Sequence, residues 1–298
     1  MKKKSAFAAI VGRPSVGKST LLNKMCGEKV AIVSAVPQTT RNAIRGIVNR
    51  EQGQLVFVDT PGRHNSEKKF NKKLMEVSKR ALDESDLVLY VLDASRAPGA
   101  EEEEVAALLV PLAEKTIAAV NKMDAPGADF NRAKEFLSLR LPALSNEHCF
   151  AVSANTGQGI EELLSALYAI APEGDILYGE EYYTDQEVDF RIAEIIREQA
   201  INRLYQELPH CLYVEVADSE FTEGDPGKLW VRAFIIVERE SQKGMVVGKG
   251  GEIIKAIRLA ALKEIRRIFD WKVELDLRVK TGKDWRHKDH TLRRLIDR

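Results

Sequence analysis

At 298 residues the chain exceeds the roughly 100 to 200 residues of a single domain, so two domains are expected. With 44% apolar and 30% charged side chains and zero formal net charge, it has the balance of an ordinary soluble protein rather than of a uniformly basic nucleic-acid binder. Its longest apolar runs, such as LVLYVL, fall far short of the ~18 residues of a membrane span, no stretch reads as a signal peptide, and the widely spaced Cys26, Cys149 and Cys211 suit neither a disulfide framework nor a zinc site. A reducing cytoplasm is the compartment these features predict.

In chain order, FAAIVG reads as a strand, followed by GRPSVGKST and a helix over Lys18–Cys26. Gly12, Gly17, Lys18 and Ser19 fit GxxxxGK[ST] in the strand-loop-helix context that the motif needs, and Arg13, Pro14, Ser15, Val16 and Thr20 complete the loop. Such a loop wraps phosphates with backbone N–H groups, while the lysine neutralises the outer phosphates and the hydroxyl takes a position on magnesium. VPQTTRNAI is aperiodic, and its Thr39 or Thr40 can reach that metal; AIRGIVNR is predicted as an edge strand. QLVFVDT is the next strand, and its end, Asp59, Thr60, Pro61 and Gly62, supplies a further magnesium contact from Asp59 and a γ-phosphate contact from the Gly62 N–H.

A helix over Asn71–Glu84, the strand DLVLYVLD and a helix over Glu101–Leu112 lead to the strand KTIAAVNKMD. Asn121, Lys122, Met123 and Asp124 at its end name the base: a carboxylate accepts from two neighbouring donors of guanine, a pair that adenine lacks. A helix over Phe130–Leu139 and the strand HCFAVSA follow, with Ser153, Ala154 and Asn155 placing the Ala154 N–H on the guanine oxygen, and then a helix over Gly159–Ile170. Strands alternating with helices predict an α/β domain over residues 1–171, with a mostly parallel sheet whose ligands sit at the carboxyl ends of the strands. The chain reads as a GTP-hydrolysing switch with Lys18, Gly62 and Thr39 or Thr40 in catalytic roles and Ser19, Asp59 and the same threonine at magnesium.

Residues 172–186, rich in turn formers and acids, read as a linker. Beyond it the order is helix (Val188–Gln206), strand (Cys211–Ala217), a turn at TEGDPGK, strand (Leu229–Val237), short helix, glycine loop, helix (Glu252–Phe269), strand (Lys272–Val279) and a basic tail. Net charge is −8 over residues 181–240 and +8 over 241–298, which makes a polyanion the candidate partner of the basic block. Trp230 and Trp271 read as core residues, and Lys2–Lys4 as a disordered end that would also suit an anionic membrane surface.

Together GRPSVGKSTLLN, QTTR, FVDTPG, NKMD, PEGDILYGEEYYTDQ, VERESQKGMVVGKGGEIIKAI and VKTGKDWR give the chain a full-length resemblance to the Era family, bacterial Ras-like GTPases with a carboxyl-terminal K-homology (KH) RNA-binding domain. The resemblance implies a P-loop GTPase domain followed by an α+β type II KH domain over residues 187–298. It also implies Thr40 as the switch threonine on magnesium, GTP and GDP as substrate and product, and a monomer in the cytoplasm with peripheral association at the inner face of the cell membrane. Its implied partner is the 3′ end of small-subunit ribosomal RNA, and its implied role the maturation of that subunit. Gly248, Lys249, Gly250 and Gly251 fit the GxxG that clamps single-stranded backbone, over a groove offered by Met245, Val247, Ile253 and Ile254 and flanked by Lys243, Lys255 and Arg258.

Three positions depart from the family pattern. Ser15 replaces an asparagine that in related GTPases helps hold potassium, so potassium stimulation is not carried over to this chain. Arg63 follows DTPG where an apolar residue is usual, and reads either as a solvent-exposed loop residue or as an arginine finger in cis. Arg258 stands where the family often has glycine, and offers the groove a further phosphate contact.

Overall fold

The structure, a computed structural model, describes residues 2–34, 36, 39–60, 76, 78–222, 225–288, 291, 292 and 295. The chain forms two compact units, the first holding the stretches up to Ala31 and Thr40–Asp185, the second Ile32–Thr39 and Gln186–Leu292. None of the described helices is long and apolar enough to cross a membrane.

The first unit is built on a six-stranded sheet of order β2-β3-β1-β4-β5-β6. Its strands are β1 (Lys4–Val11), β2 (Ile44–Arg50), β3 (Gly53–Asp59), β4 (Leu87–Asp93), β5 (Thr116–Asn121) and β6 (Cys149–Ala151). All pairings are parallel except β2 with β3. Every residue of β3, β4 and β5 is buried, as apolar runs in a sheet covered on both faces must be. The covering helices are α1 (Lys18–Cys26), residues 78–83 as the described part of α2, α3 (Ala100–Leu109), α4 (Phe130–Arg140) and α5 (Ile160–Ile170). The predicted helix over Glu101–Leu112 stops earlier as an α-helix because Pro111 cannot continue it, and Val110–Lys115 forms a 3₁₀ turn instead. From β1 the chain reaches β3 on one side and β4 on the other, so the loop after β1 lies at the switch point of the sheet, where ligands bind such folds.

Two stretches read as loose are ordered. Lys4 opens β1 and Lys3 accepts a hydrogen bond from the Gly174 N–H, so the lysine cluster is not simply a disordered end. The stretch read as a linker lies along the edge strand β2 up to Asp185. The Ile47 N–H donates to the Tyr183 carbonyl at 2.9 Å, Thr184 Oγ1 to the Arg45 carbonyl at 2.8 Å, and Arg45 pairs with Asp185 at 2.7 Å. Buried Gln54 accepts the Leu177 and Tyr178 N–H groups, both at 3.0 Å. Covering an exposed strand edge satisfies its ladder and removes an aggregation site.

In the second unit β7 (Leu212–Thr222), β8 (Asp225–Val237) and β9 (Lys272–Thr281) form a sheet of that order, antiparallel then parallel. Helices α6 (Val188–Ile201) and α8 (Glu252–Ile268) pack on one face of it, burying Ile192, Ile196, Ile257 and Ile265 against Val231, Ala233 and Ile235. α7 (Glu240–Val247) precedes the glycine loop. α6 ends short of the predicted Gln206, whose φ of 56° cannot continue a right-handed helix. The hairpin strands run longer than predicted because their ladder extends to Thr222 opposite Asp225. Trp285 is 1% exposed and donates its indole N–H to the Cys211 carbonyl, drawing the start of the basic tail into the core. Trp230 and Trp271 are only partly buried; Trp271 stacks on Phe269 with centroids 5.3 Å apart. Within this unit Glu198 accepts the Val33 N–H at 2.8 Å and Arg197 donates to the Thr39 carbonyl at 2.5 Å.

Candidate functional site

The loop from Gly12 to Gly17 is shaped by two glycines for which no other residue fits. A Cβ on Gly12, at φ 152°, would lie 2.5 Å from the Val91 carbonyl oxygen, and one on Gly17, at φ 98°, 2.4 Å from Asn121 Nδ2. Gly17 caps α1 without a side-chain hydrogen bond, so the first N–H groups of the helix are left for an anion. Lys18 is buried at the first position of α1, its Nζ donating to the Gly12 and Arg13 carbonyls at 2.9 Å each. Burial pulls its pKa down to about 8, against the opposing pull of Asp59.

Three oxygen-bearing side chains converge beside it. Ser19 Oγ donates to Asp59 Oδ2 at 2.6 Å and lies 3.0 Å from Thr40 Oγ1, which itself donates to Asp59 Oδ2 at 3.2 Å. Asp59 is fully buried and its Oδ1 has no hydrogen-bond partner among the described residues. Burial pushes its pKa up, opposed by Lys18, Ser19 and Thr40. Two hydroxyls and an unsatisfied carboxylate oxygen are the hard donor set that suits Mg²⁺. Among the described residues no cluster of three or more His, Cys, Asp or Glu gathers for a metal, so an ion here would take its remaining ligands from phosphate and water, as Mg²⁺ does. Thr39 is not in this set, since its hydroxyl donates to the Val36 carbonyl. Thr60 is anchored to the Ile10 carbonyl at 2.9 Å, whereas Pro61, Gly62 and Arg63 lie outside the described residues.

One loop residue does not point where the motif suggested. The Arg13 guanidinium is turned into the protein, paired with Glu102 and, at 2.7 Å, with Asp93, so only its backbone is offered to a phosphate. A buried guanidinium needs carboxylate partners, and the ends of β4 and α3 provide them.

The base-recognition residues meet the phosphate loop directly. Asn121 is 2% exposed; its Nδ2 donates to the Val16 carbonyl and its Oδ1 accepts the Ala154 N–H, each at 2.9 Å. The N–H expected to face a guanine oxygen is thus engaged by Asn121, because a buried donor pairs with the acceptor at hand. Lys122, at φ 66°, donates to the Ser15 carbonyl and to Asp93, both at 2.8 Å, and the Met123 N–H donates to the Val152 carbonyl. Asp124 faces solvent, fixed by the Ser153 hydroxyl at 2.6 Å and Asn155 Nδ2 at 3.1 Å, which hold its pKa below the usual carboxylate range.

In the second unit Gly248, Gly250 and Gly251 have φ of 76°, 62° and 81°, and Lys249 and Gly250 are exposed. A Cβ on Gly248 would strike Ile253 at 2.7 Å, whereas one on Gly250 meets nothing within 4 Å. A Cβ on Gly251 likewise meets nothing, so the loop is open to a polymer backbone at Gly250 and Gly251, and Gly250 is the more exposed of the two. Met245 is 57% exposed, Ile253 and Ile254 are half-buried, Lys255 is exposed and Arg258 half-buried, while Lys243 pairs with Glu240 at 3.2 Å. Asp93 and Glu102 escaped the sequence reading; the only signal was an acid closing the strand LVLYVLD as acids close its neighbours.

The 50S ribosome-binding GTPase family matches residues 7–122 and the KH domain family matches residues 207–286. The GTPase Era of Treponema denticola is 52% identical, covering 98% of this chain and 99% of its own. That of Borreliella burgdorferi is 44% identical over 99% of this chain and 100% of its own. Among solved structures, Aquifex aeolicus Era in a variant form bound to GDP.AlF4- superposes with a TM-score of 0.92 at 32% identity, covering 97% and 98% of the two chains. A second, Era in complex with MgGDPNP and nucleotides 1506–1542 of 16S ribosomal RNA, does so with a TM-score of 0.92 at 32% identity, covering 98% of each.

Proposed function

For a chain that belongs to the Era family of GTPases, with a P-loop GTPase domain and a KH domain, we propose a switch that hydrolyses GTP while its second domain grips the 3′ end of small-subunit ribosomal RNA and assists maturation of that subunit. The observation that carries this reading is the pairing, in one chain, of the Ser19–Thr40–Asp59 oxygen cluster with an open glycine loop at Gly250. The solved Era with MgGDPNP and 16S ribosomal RNA supports both halves. The same reading makes the protein a cytoplasmic monomer.

In the first site Lys18 leaves the Gly12 and Arg13 carbonyls to take the outer phosphates, and the loop and α1 N–H groups wrap the rest. Ser19, Thr40 and Asp59 would hold Mg²⁺, which when bound supplies positive charge against the phosphate oxygens. Asp124, pre-set by Ser153 and Asn155, accepts the paired N–H groups of guanine. Residues acting in this way work by position and electrostatics rather than by covalent chemistry. In the second site Lys249, Lys255 and Arg258 meet phosphates while Met245, Ile253 and Ile254 floor the groove beneath the bases.

The test is genetic and biochemical together. In cells depleted of this protein, unprocessed small-subunit ribosomal RNA should accumulate, the unaltered chain should clear it, and Gly250→Asp and Asp59→Ala should not. Full clearance by Gly250→Asp would remove RNA binding from the function.

A further inference from the structure

Two buried carboxylates beneath the nucleotide site, Asp93 and Glu102, belong to no recognised motif, and they pair with cations of the two loops that do. Asp93, at the end of β4, is buried and accepts four hydrogen bonds: Arg13 Nη2 at 2.7 Å and Lys122 Nζ at 2.8 Å on Oδ2, and the Ser95 N–H at 3.0 Å and hydroxyl at 2.6 Å on Oδ1. Arg13 in turn donates to the Pro14 carbonyl at 2.7 Å and pairs with Glu102, whose other oxygen accepts the Gly99 N–H at the start of α3. Lys122 Nζ also donates to the Ser15 carbonyl. The Arg13 and Asp93 side chains are 6% and 4% exposed.

We propose that Asp93 is a positioning residue for guanine-nucleotide binding, joining the phosphate loop to the base-recognition loop through Arg13 and Lys122. Both loops carry strain: Ser15 and Lys122 hold φ of 61° and 66°, a region such residues occupy only when their surroundings fix them there. Among the described residues the Asp93 carboxylate is the one acceptor shared by cations from the two loops, and every bond in the set joins protein atoms alone. The cost of ordering the two loops against each other therefore falls on folding and not on binding, which is preorganisation. None of these side chains belongs to the Ser19–Thr40–Asp59 oxygen cluster. Loss of the link weakens GDP and GTP alike, and so appears in affinity and KM while kcat is preserved. The proposal rests on reading the first site as the guanine-nucleotide site.

The experiment compares the full-length chain with Asp93→Asn, which keeps the shape and removes the charge. Release of a fluorescent GDP should quicken at least tenfold and KM for GTP should rise in step, while kcat stays within about twofold. Arg13→Met should quicken release as well, and the double variant should release no faster than the worse single one. Release within twofold of the parent, with only a lower Tm of the nucleotide-free protein, would reduce Asp93 to a structural residue and overturn the proposal; so would a fall in kcat at unchanged KM. If Asp93→Asn does not fold, Ser95→Ala serves instead, with faster release expected and unchanged release contrary. Failure of the unaltered chain to bind GDP would overturn both this proposal and the reading beneath it, whereas GDP binding with unaltered release in the variants overturns this one alone.

Discussion

Asn121 bridges two loops with a single amide, donating to the Val16 carbonyl and accepting the Ala154 N–H, each at 2.9 Å. Truncation leaves a buried donor and a buried acceptor unpaired, at about 1–3 kcal/mol each. Asn121→Ala should therefore destabilise the first domain by about 2–4 kcal/mol and weaken GDP at least tenfold. Thermal denaturation and GDP titration read the two effects separately, and an unchanged Tm would contradict the bridging role.

Lys18 gives the site a pH dependence of known sign. Burial holds its folded-state pKa at about 8, below the ordinary lysine value of 10.5, so between these values the unfolded chain binds more protons. The nucleotide-free domain should gain stability as pH rises from about 8 to 10.5, once the charge need no longer be buried. Nucleotide needs the protonated amine, so GDP affinity should fall over the same range, by about tenfold per pH unit above 8. GDP affinity that stays flat up to pH 9.5 would show that Lys18 does not hold phosphate charge.

On the proposed reading of the site, Asp124 accepts two donors of the guanine base. Asp124→Asn replaces one acceptor with a donor, so guanine loses a partner while xanthine, with a carbonyl at the same position, gains one. GDP affinity should drop by about 10² or more and XDP affinity should rise. Parallel loss of both nucleotides would point to a collapsed loop.

Gln54 ties the strap to the sheet through Leu177, Tyr178 and Asn49 while itself wholly buried. Gln54→Ala strands several part-buried polar groups and should cost about 1–3 kcal/mol, with hydrogen exchange quickening first at residues 177–183. Uniform exchange across the domain would mean that the strap is not a separable element.

Much of this was legible in the residues. Apolar runs closed by GKS, DTPG and NKMD announced the strands and the loops at their ends, because those loops demand glycine and named polar atoms at fixed spacing. Other features were not. Residues 172–185 have the composition of a linker, and only the tertiary fold shows that their backbone is paired along β2. The inward turn of the Arg13 side chain was not legible, because its distant partners, Asp93 and Glu102, leave no local pattern. The end of α6 before Gln206 is set by a backbone turn that helix-forming residues do not advertise.

In the proposed function one phosphate loop is switched and the other clamps RNA. The most direct measurement is the affinity of the full chain for a short single strand matching the 3′ end of small-subunit ribosomal RNA, with a non-hydrolysable GTP analogue or with GDP, beside Gly250→Asp. A Cβ at Gly250 meets no protein atom within 4 Å, although its φ of 62° strains any replacement, so the Tm of the variant is read alongside. The account predicts tight, salt-dependent binding with the analogue, weaker binding with GDP, and loss of at least tenfold in the folded variant. Equal binding by all three forms, or none by any, would contradict it and leave a GTPase whose second domain serves a partner other than RNA.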